Sequence, residues 1–588
     1  MFIPPNDKYL IKQLIGLLKP YKKKVLVILV CIIISSIATM IMPMLGKKIM
    51  DDGLIGKNFK TVVSTVTLCF LIIIFQQLLE LLETKYFAYI NSMLPYTLNN
   101  KAFKHLMNLK LQYFNNTNFS QTMNNISIDI SNVSKIADKG MFYIITEIFK
   151  MIGGTIGLLI IDWRLTIIVF LFLPIRYILV KSLSKKRRTS FEEYMKYNED
   201  YSAWYGDTIR GIKEIKLWNL ERVQISIFTK KQRNIIKTNI KLLFVDKINE
   251  ISESIILQII INALYILGAH LIIQNSITVG ELFAFITYSV YVTTPISSIL
   301  NIGYALSGIL PAAKRLFNFL GMETESNLTD CKTINLDATS IKGAITFENV
   351  CFSYLKREKT LTNINFTLNK GEKLAIIGHN GSGKSTLLNL LLRFYEPQKG
   401  RILLDNMDIS KIKLKDFRKL ISVVSQDLYL FNTSIKDNIT LFSKKNESKM
   451  YKAANSSGAL DFISELPLKF DTVVGQDGSN LSGGEKQKIA VARAFARDSK
   501  IIVFDEATSN FDNESEALLN KLLLTNFKDK TVIIITHKVN ILKEMDKILL
   551  LHKGRIVDIG THDELLNRNT LYRDMISIND ITRNEDII

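Results

Sequence analysis

KLAIIGHNGSGKSTLLNLL, residues 373–391, joins three signals in one run. Lys373-Leu374-Ala375-Ile376-Ile377 is a short apolar stretch of the kind that forms a buried strand. Gly378-His379-Asn380-Gly381-Ser382-Gly383-Lys384-Ser385 then fits G-x-x-x-x-G-K-S. Thr386 to Leu392 is an apolar helical run. Strand, glycine loop and helix in this order are the setting in which the pattern cradles phosphate. The glycines let backbone N–H groups close around phosphate oxygens, and the helix N-terminus adds favourable polarity. Lys384 is placed for the β- and γ-phosphates, and Ser385 for Mg²⁺. Gly378 through Gly383, with Thr386, complete the nucleotide-binding set.

Upstream the chain changes character. Six apolar stretches, at about 25–45, 61–82, 141–161, 165–184, 254–273 and 281–303, are each near the roughly 20 residues that cross a bilayer. An amphipathic segment over 6–20 reads as a surface helix ahead of them. Spans three and four are joined only by Asp162-Trp163-Arg164. The segments after spans two and four are far longer. The second carries Lys185-Lys186-Arg187-Arg188, Arg210, Lys213, Lys216, Lys230, Lys231 and Arg233. The positive-inside rule makes these segments and the N-terminus cytoplasmic, outweighing Lys47, Lys48, Lys57 and Lys60 in the first outer loop. The run from Asn198 to Val245 has few breakers, so the spans are predicted to continue as helices into the cytoplasm. A membrane domain over 1–312, a polar connector over 313–342 and an α/β domain over 343–588 follow.

Polar groups within the spans are costly and need a partner or a wet cavity. Glu147 and Lys150 fall in the inner half of span three, and Arg176, just after Pro174, in that of span four. Glu147 could neutralise Lys150 or Arg176, or all three could face substrate. Thr287, Tyr291, Thr294, Ser298 and Asn301 recur every three or four residues in span six. They form one stripe, either bonding between helices or walling a translocation cavity. Pro295 is a candidate kink.

Downstream, the apolar strand Ile501-Ile502-Val503-Phe504 ends in Asp505-Glu506. Asp505 suits a metal ion, and Glu506 suits the attacking water. Leu481-Ser482-Gly483-Gly484-Glu485 closely resembles the LSGGQ signature of ABC-family ATPases. With the glycine loop, the Asp505-Glu506 strand and six spans, the chain resembles an ABC exporter half-transporter of the bacterial multidrug, lipid and peptide group, over nearly its whole length. The resemblance implies a six-helix membrane domain with long cytoplasmic extensions, fused to an α/β P-loop ATPase domain.

It also implies roles for further residues. Tyr354 matches the aromatic that stacks on adenine. Gln426 matches a glutamine that reaches the metal and the nucleotide, so Ser385, Gln426 and Asp505 form the metal set. Ser482, Gly483 and Gly484 cap the γ-phosphate bound by the partner subunit. Asp512, in Ser509-Asn510-Phe511-Asp512, matches the loop usually written S-A-L-D, with Asn510 and Phe511 departing from it. His537 matches the switch histidine and joins Glu506 and Gln426 as catalytic. Gln476 replaces a glutamate in the T-x-V-G-E-x-G loop, and Glu485 replaces the signature glutamine.

One chain supplies one glycine loop and one signature, so the resemblance implies two chains sandwiching two ATP–Mg²⁺. A homodimer is favoured over a heterodimer. The expected activity is ATP-driven export of an amphipathic substrate (peptide, drug or lipid) across a bacterial cytoplasmic membrane, with the ATPase domain inside. An importer built on the same fold for a siderophore-like substrate is the alternative.

Composition narrows the classes further. The 588 residues hold 75 basic and 55 acidic side chains, a net charge of +20. Such a balance suits nucleic acid, but here much of it lies in cytoplasmic extensions facing an anionic leaflet. Six spans likewise exclude a soluble ABC ATPase working on nucleic acid. Cys31, Cys69, Cys331 and Cys351 show no CxxC spacing, so neither a disulfide framework nor a zinc site is indicated. A mean hydropathy of +0.16 averages an apolar half with a polar one.

Overall fold

The computed structural model describes residues 5–116, 119–325, 341–354, 360–444, 447–506, 527, 529–536 and 538–585. They form two compact units, one of Met1–Met107 with Asn118–Met322, the other of Asn108–Thr117 with Glu323–Ile588.

The first unit is helical. Its elements are α1 (Pro5–Leu17), α2 (Lys22–Lys48) and α3 (Phe59–Leu106). After α4 (Leu111–Asn116), which belongs to the second unit, come α5 (Phe119–Ser134), α6 (Lys139–Ile161), α7 (Trp163–Arg210) and α8 (Ile212–Leu217). Then follow α9 (Glu221–Ile273), α10 (Val279–Thr293) and α11 (Pro295–Leu320). Six helical stretches among the described residues are long and apolar enough to cross a membrane, matching the six predicted spans. α3, α7 and α9 have 48, 48 and 53 residues. At 1.5 Å per residue these far exceed the hydrocarbon thickness, as the predicted extensions require.

Local chemistry explains the turns. Asp162 Oδ1 accepts from the backbone N–H of Arg164 and Leu165 at 2.8 and 3.1 Å, capping α7 directly after α6 ends. Thr278 and Glu281 make a reciprocal capping box at the start of α10. Small residues let the helices close up: a Cβ on Gly157 would lie 2.7 Å from the Tyr288 ring, and one on Gly268 2.4 Å from Leu282. At one end of the unit, Lys47 pairs with Glu281 at 2.9 Å, and Asp51 accepts from Gly280 N–H at 2.8 Å.

Two boundaries differ from the sequence reading. The helix predicted through 198–245 breaks at Gly211 and again at Trp218–Leu220, leaving α8 as one short turn between α7 and α9. Asn219 adopts φ +52°, a left-handed angle that Asn tolerates better than most residues. The membrane helix does not stop near Pro311 either. α11 runs to Leu320 because Ile309, Ala312, Ala313, Leu316 and Phe319 form a buried stripe at helical spacing. Pro311 lies on the exposed side of that helix.

The second unit carries two sheets. Strands β1 (Ile345–Phe352), β2 (Leu361–Leu368), β4 (Lys399–Leu404) and β5 (Met407–Asp408) make an antiparallel sheet, ordered β2-β1-β4-β5. β3 (Lys373–Ile377), β6 (Ile421–Val424), β7 (Ile501–Asp505), β8 (Thr531–Ile535), β9 (Lys547–His552) and β10 (Arg555–Gly560) make the other, ordered β10-β9-β3-β8-β7-β6. All its pairings are parallel except β9–β10. β3, β7 and β8 are almost wholly buried. Continuous Val and Ile runs are what a sheet covered on both faces requires.

Candidate nucleotide site and intramembrane polar residues

Parallel strands fix where the chemistry gathers. β8 lies between β3 and β7, with Ile535 opposite both Ile376 and Asp505. The C-terminal ends of β3, β7 and β6 therefore open on one edge, the usual ligand side of such a sheet. β3 runs into the 378–385 loop, β7 ends at Asp505, and Gln426 follows β6. The helix α12 (Lys384–Leu391) starts at the loop's last turn.

The loop geometry needs its glycines. Gly378 has φ +157°, and a Cβ there would lie 2.2 Å from the Leu551 carbonyl oxygen. Gly383 has φ +108°, with its Cβ position 2.7 Å from Leu361. Both angle and space exclude a side chain. Ser382 Oγ is buried and finds no hydrogen-bond partner among the described residues. A buried unpaired hydroxyl is costly, and an anion seated in the loop would supply its acceptor. His379, Asn380, Gly381 and Ser385 are exposed, while Thr386 is buried.

Lys384 is itself buried, donates to Gly378 O at 2.7 Å and lies 4.0 Å from Glu506 Oε1. Burial pulls its ammonium below the usual lysine range, against the opposing pull of Glu506 and Asp505. Burial pushes the Asp505 carboxyl up, and neighbouring Glu506 adds to the rise. A desolvated Asp505 carboxyl beside a desolvated ammonium is a poor resting place for charge. A phosphate oxygen at Lys384 and a cation at Asp505 would relieve both.

The structure brings Gln426 and Glu506 into direct contact, Gln426 Nε2 donating to Glu506 Oε2 at 3.0 Å. Glu506 holds φ +49°, a left-handed angle that costs a non-glycine residue about 1–3 kcal/mol. Its N–H is fixed on Ile535 O at 3.1 Å. Tyr354 donates its hydroxyl to Thr386 Oγ1 at 3.3 Å and packs edge-on against Phe352 and Tyr395. Asp512 and His537 lie outside the described residues, as does the rest of the Ser509–Asp512 loop. The sequence reading missed His552, whose ring centroid is 6.1 Å from that of His379. No motif marks it; only the β3–β9 pairing brings it there.

The signature residues stand apart. Ser482 caps the helix Gly483–Ala496. Its N–H and hydroxyl both donate to Glu485 Oε2 at 2.7 Å, and Glu485 N–H returns to Ser482 Oγ. A Cβ on Gly483 or Gly484 would meet nothing within 4 Å among the described residues, whose packing does not demand glycine at either place.

In the membrane unit, Arg176 is wholly buried and bonds Ser252 and Glu253 of α9 and Ser297 of α11, with Glu253 at 2.5 Å. Its partner is therefore Glu253, not Glu147, and it presents no surface to a cavity here. Glu253 stands at the edge of span five, the one sequence signal that could have found it. Glu147 takes the other partner foreseen, Lys150, at 3.0 Å. The Thr287 and Thr294 hydroxyls donate to Phe283 O and Val290 O of their own helix, so their protons are spent within it. Thr294 keeps helical angles across the break before Pro295, which holds Tyr291 and Ser298 in line. Ser298 is half-buried, and the Asn301 side chain lies outside the described set.

Comparison with known proteins agrees with this anatomy. Residues 25–296 match the model of the ABC transporter transmembrane region, and residues 361–509 that of the ABC transporter. The chain is 30% identical over 577 residues to exp8 of Streptococcus pneumoniae, named as an ABC transporter ATP-binding protein, covering 97% of each. It is also 30% identical to the ATP-dependent lipid A-core flippase of Alcanivorax borkumensis, over 86% of this chain and 87% of that one. A solved structure of a bacterial Atm1-family ABC exporter with ATP bound shares the fold at TM-score 0.79 and 24% identity, over 95% of this chain and 99% of that one. Six membrane helices on one side of the chain and a phosphate-binding loop with its carboxylates on the other thus have a single explanation: the chain belongs to the ABC transporter family, as an exporter half-transporter with an ATPase domain.

Proposed function

We propose that two copies of this chain, in a bacterial cytoplasmic membrane with their ATPase domains inside, export an amphipathic substrate by alternating access. The observation that carries the dimer is the split of the ATP chemistry. Among the described residues, the loop of 378–385 holds an unpaired buried hydroxyl, while the two glycines after Ser482 meet no neighbour. Each is half of a phosphate site, and a second chain supplies the other half. Lipid substrates are favoured by the flippase relative, with drugs and mature peptides in the same physical class.

Within each site the chain's own residues divide the work. The 378–385 backbone and Lys384 hold the phosphates. Glu506 accepts a hydrogen bond from the attacking water and draws charge onto its oxygen, with Gln426 orienting the carboxylate and His537 beside the γ-phosphate. Ser385, Asp505 and the amide oxygen of Gln426 are hard oxygen donors that fit Mg²⁺, which when bound offsets charge on the phosphates. Closure over ATP moves substrate only if it changes the relative stability of the inward- and outward-open helix arrangements.

Complementation tests the shared site. Lys384→Ala and Ser482→Ala chains are each expected to be inactive alone. Co-expressed, they form mixed dimers with one site doubly broken and the other intact, so ATPase activity returns. Mixed dimers as silent as either parent would exclude a site built from two chains.

Glu485 gives a second test. A carboxylate only accepts hydrogen bonds from Ser482, so it competes with γ-phosphate for that hydroxyl proton. Glutamine keeps the cap but accepts more weakly. Glu485→Gln is expected to lower the ATP concentration for half-maximal activity about fivefold, the worth of ~1 kcal/mol. Thermal stability should stay unchanged. A raised half-maximal concentration would show that the carboxylate helps closure rather than opposing it.

A further inference from the structure

Charge within the spans is accounted for almost residue by residue. The six spans contain Glu80, Glu147, Lys150, Arg176, Lys181, His270 and Glu281 as ionisable residues of acid or base type. Near the span edges, Glu80 pairs with Lys139 at 2.7 Å and Glu281 with Lys47 at 2.9 Å. Deeper in, Glu147 pairs with Lys150, and Arg176 with Glu253. Lys181, near the cytoplasmic end of span four, lies over the Tyr177 ring. His270, near the outer end of span five, shares a hydrogen bond with Gln274.

Resting on the reading of the chain as an exporter of amphiphiles, we infer that its membrane path accepts substrates whose polar head carries no net charge, either neutral or zwitterionic. Arg176 is enclosed by Ser252, Glu253 and Ser297 and exposes no surface to a substrate. Lys150 is the deep cation with exposed surface, its side chain 22% accessible, and Glu147 beneath it is 4% accessible. An anionic head would have to displace Glu147 and leave that carboxylate buried without its partner. A cationic head would have to displace Lys150. Either exchange leaves one charge uncompensated in a low-dielectric setting.

What the path offers instead is a dipole with hydrogen-bonding neighbours. Lys150 lies 5.4 Å from the Tyr143 ring centroid, and Tyr143 is exposed. Tyr288, one turn before Tyr291, already spends its hydroxyl on Met40 O at 2.7 Å. A hydroxylated head can bond to the exposed Tyr143 and leave the ion pair whole. A zwitterion can lie antiparallel to the Glu147–Lys150 pair without breaking it.

The test uses purified full-length chain in phosphatidylcholine nanodiscs. ATPase activity is read against four amphiphiles with one shared alkyl chain. Their heads are a glucoside, a phosphocholine, a phosphate monoester and a trimethylammonium. The glucoside and phosphocholine compounds should stimulate. Each charged head should need at least about tenfold more for the same response, equivalent to ~1.4 kcal/mol. Glu147→Gln releases Lys150 and should bring the phosphate monoester into the range of phosphocholine. Lys150→Met should do the same for trimethylammonium, so one well-folded variant of the two suffices. Equal wild-type responses to charged and uncharged heads would overturn the inference. So would variants that respond to the uncharged heads but gain nothing for the charged one. Silence to all four heads is a different result, and it removes the amphiphile-export reading itself.

Discussion

Glu506→Gln is expected to lower ATP turnover by about 10²–10⁴-fold, the range for losing a positioned general base, while ATP still binds. Glu506 is the carboxylate on which three features converge. It directly follows an almost wholly buried parallel strand, it is held at a left-handed backbone angle, and its side chain receives the Gln426 amide. Strain of this kind persists only where surrounding structure enforces it, here the β7–β8 pairing and the bond to Ile535 O. Glutamine has nearly the same shape, so the backbone angle and the loop beneath Lys384 should survive. What it loses is the negative charge that draws on the attacking water. Lys384 loses one of its two opposing carboxylates as well, and triphosphate should be held no more weakly. Turnover and nucleotide affinity, measured on the same purified dimer, check the claim. A variant that hydrolyses ATP at the wild-type rate would assign the water to another group.

The nucleotide half was legible in the sequence because its function is carried by short, contiguous backbone motifs. Gly378 and Gly383 are glycine for reasons of angle and space that leave a mark at fixed spacing. Asp505 and Glu506 are adjacent because one strand end delivers both. The six spans were legible for an equally direct reason, since lipid imposes a run of apolar residues of set length. The charge pairing in the membrane was not. Arg176 and Glu253 are 77 positions apart, and helix order, depth and rotation all had to be known before either could be chosen for the other. Glu147 was the nearer candidate by sequence, but it meets Lys150 one turn along its own helix. The end of α11 was misjudged for a related reason. The polar connector was placed from 313, yet the helix runs on to Leu320, with Lys314, Arg315 and Asn318 exposed while alanines on the other side pack closely. Small residues carry little hydropathy signal even where they are wholly buried.

The pair Arg176–Glu253 is expected to be asymmetric, and that asymmetry is the second large effect. Arg176 is 0% exposed, whereas the Glu253 side chain keeps 25% of its surface. Guanidinium stays charged under any condition the protein tolerates. Glu253→Ala therefore leaves a fully buried cation with only the hydroxyls of Ser252 and Ser297, and should cost about 3–5 kcal/mol of stability. Arg176→Met should cost less. Glu253 would still accept from Ser297 Oγ at 2.8 Å and could turn its remaining surface to solvent or lipid headgroups. The double variant removes both charges and fills much of the space with an apolar chain, so it should recover most of the loss. Arg176 Nε already lacks a partner among the described residues, which makes the native cluster imperfectly satisfied and the recovery larger. The measurement is thermal stability of the purified full chain in one detergent for wild type, both single variants and the double. The expected order of damage is Glu253→Ala, then Arg176→Met, then the double. A double variant as unstable as Glu253→Ala would mean that the cluster holds α7, α9 and α11 together by its hydrogen bonds rather than merely cancelling charge.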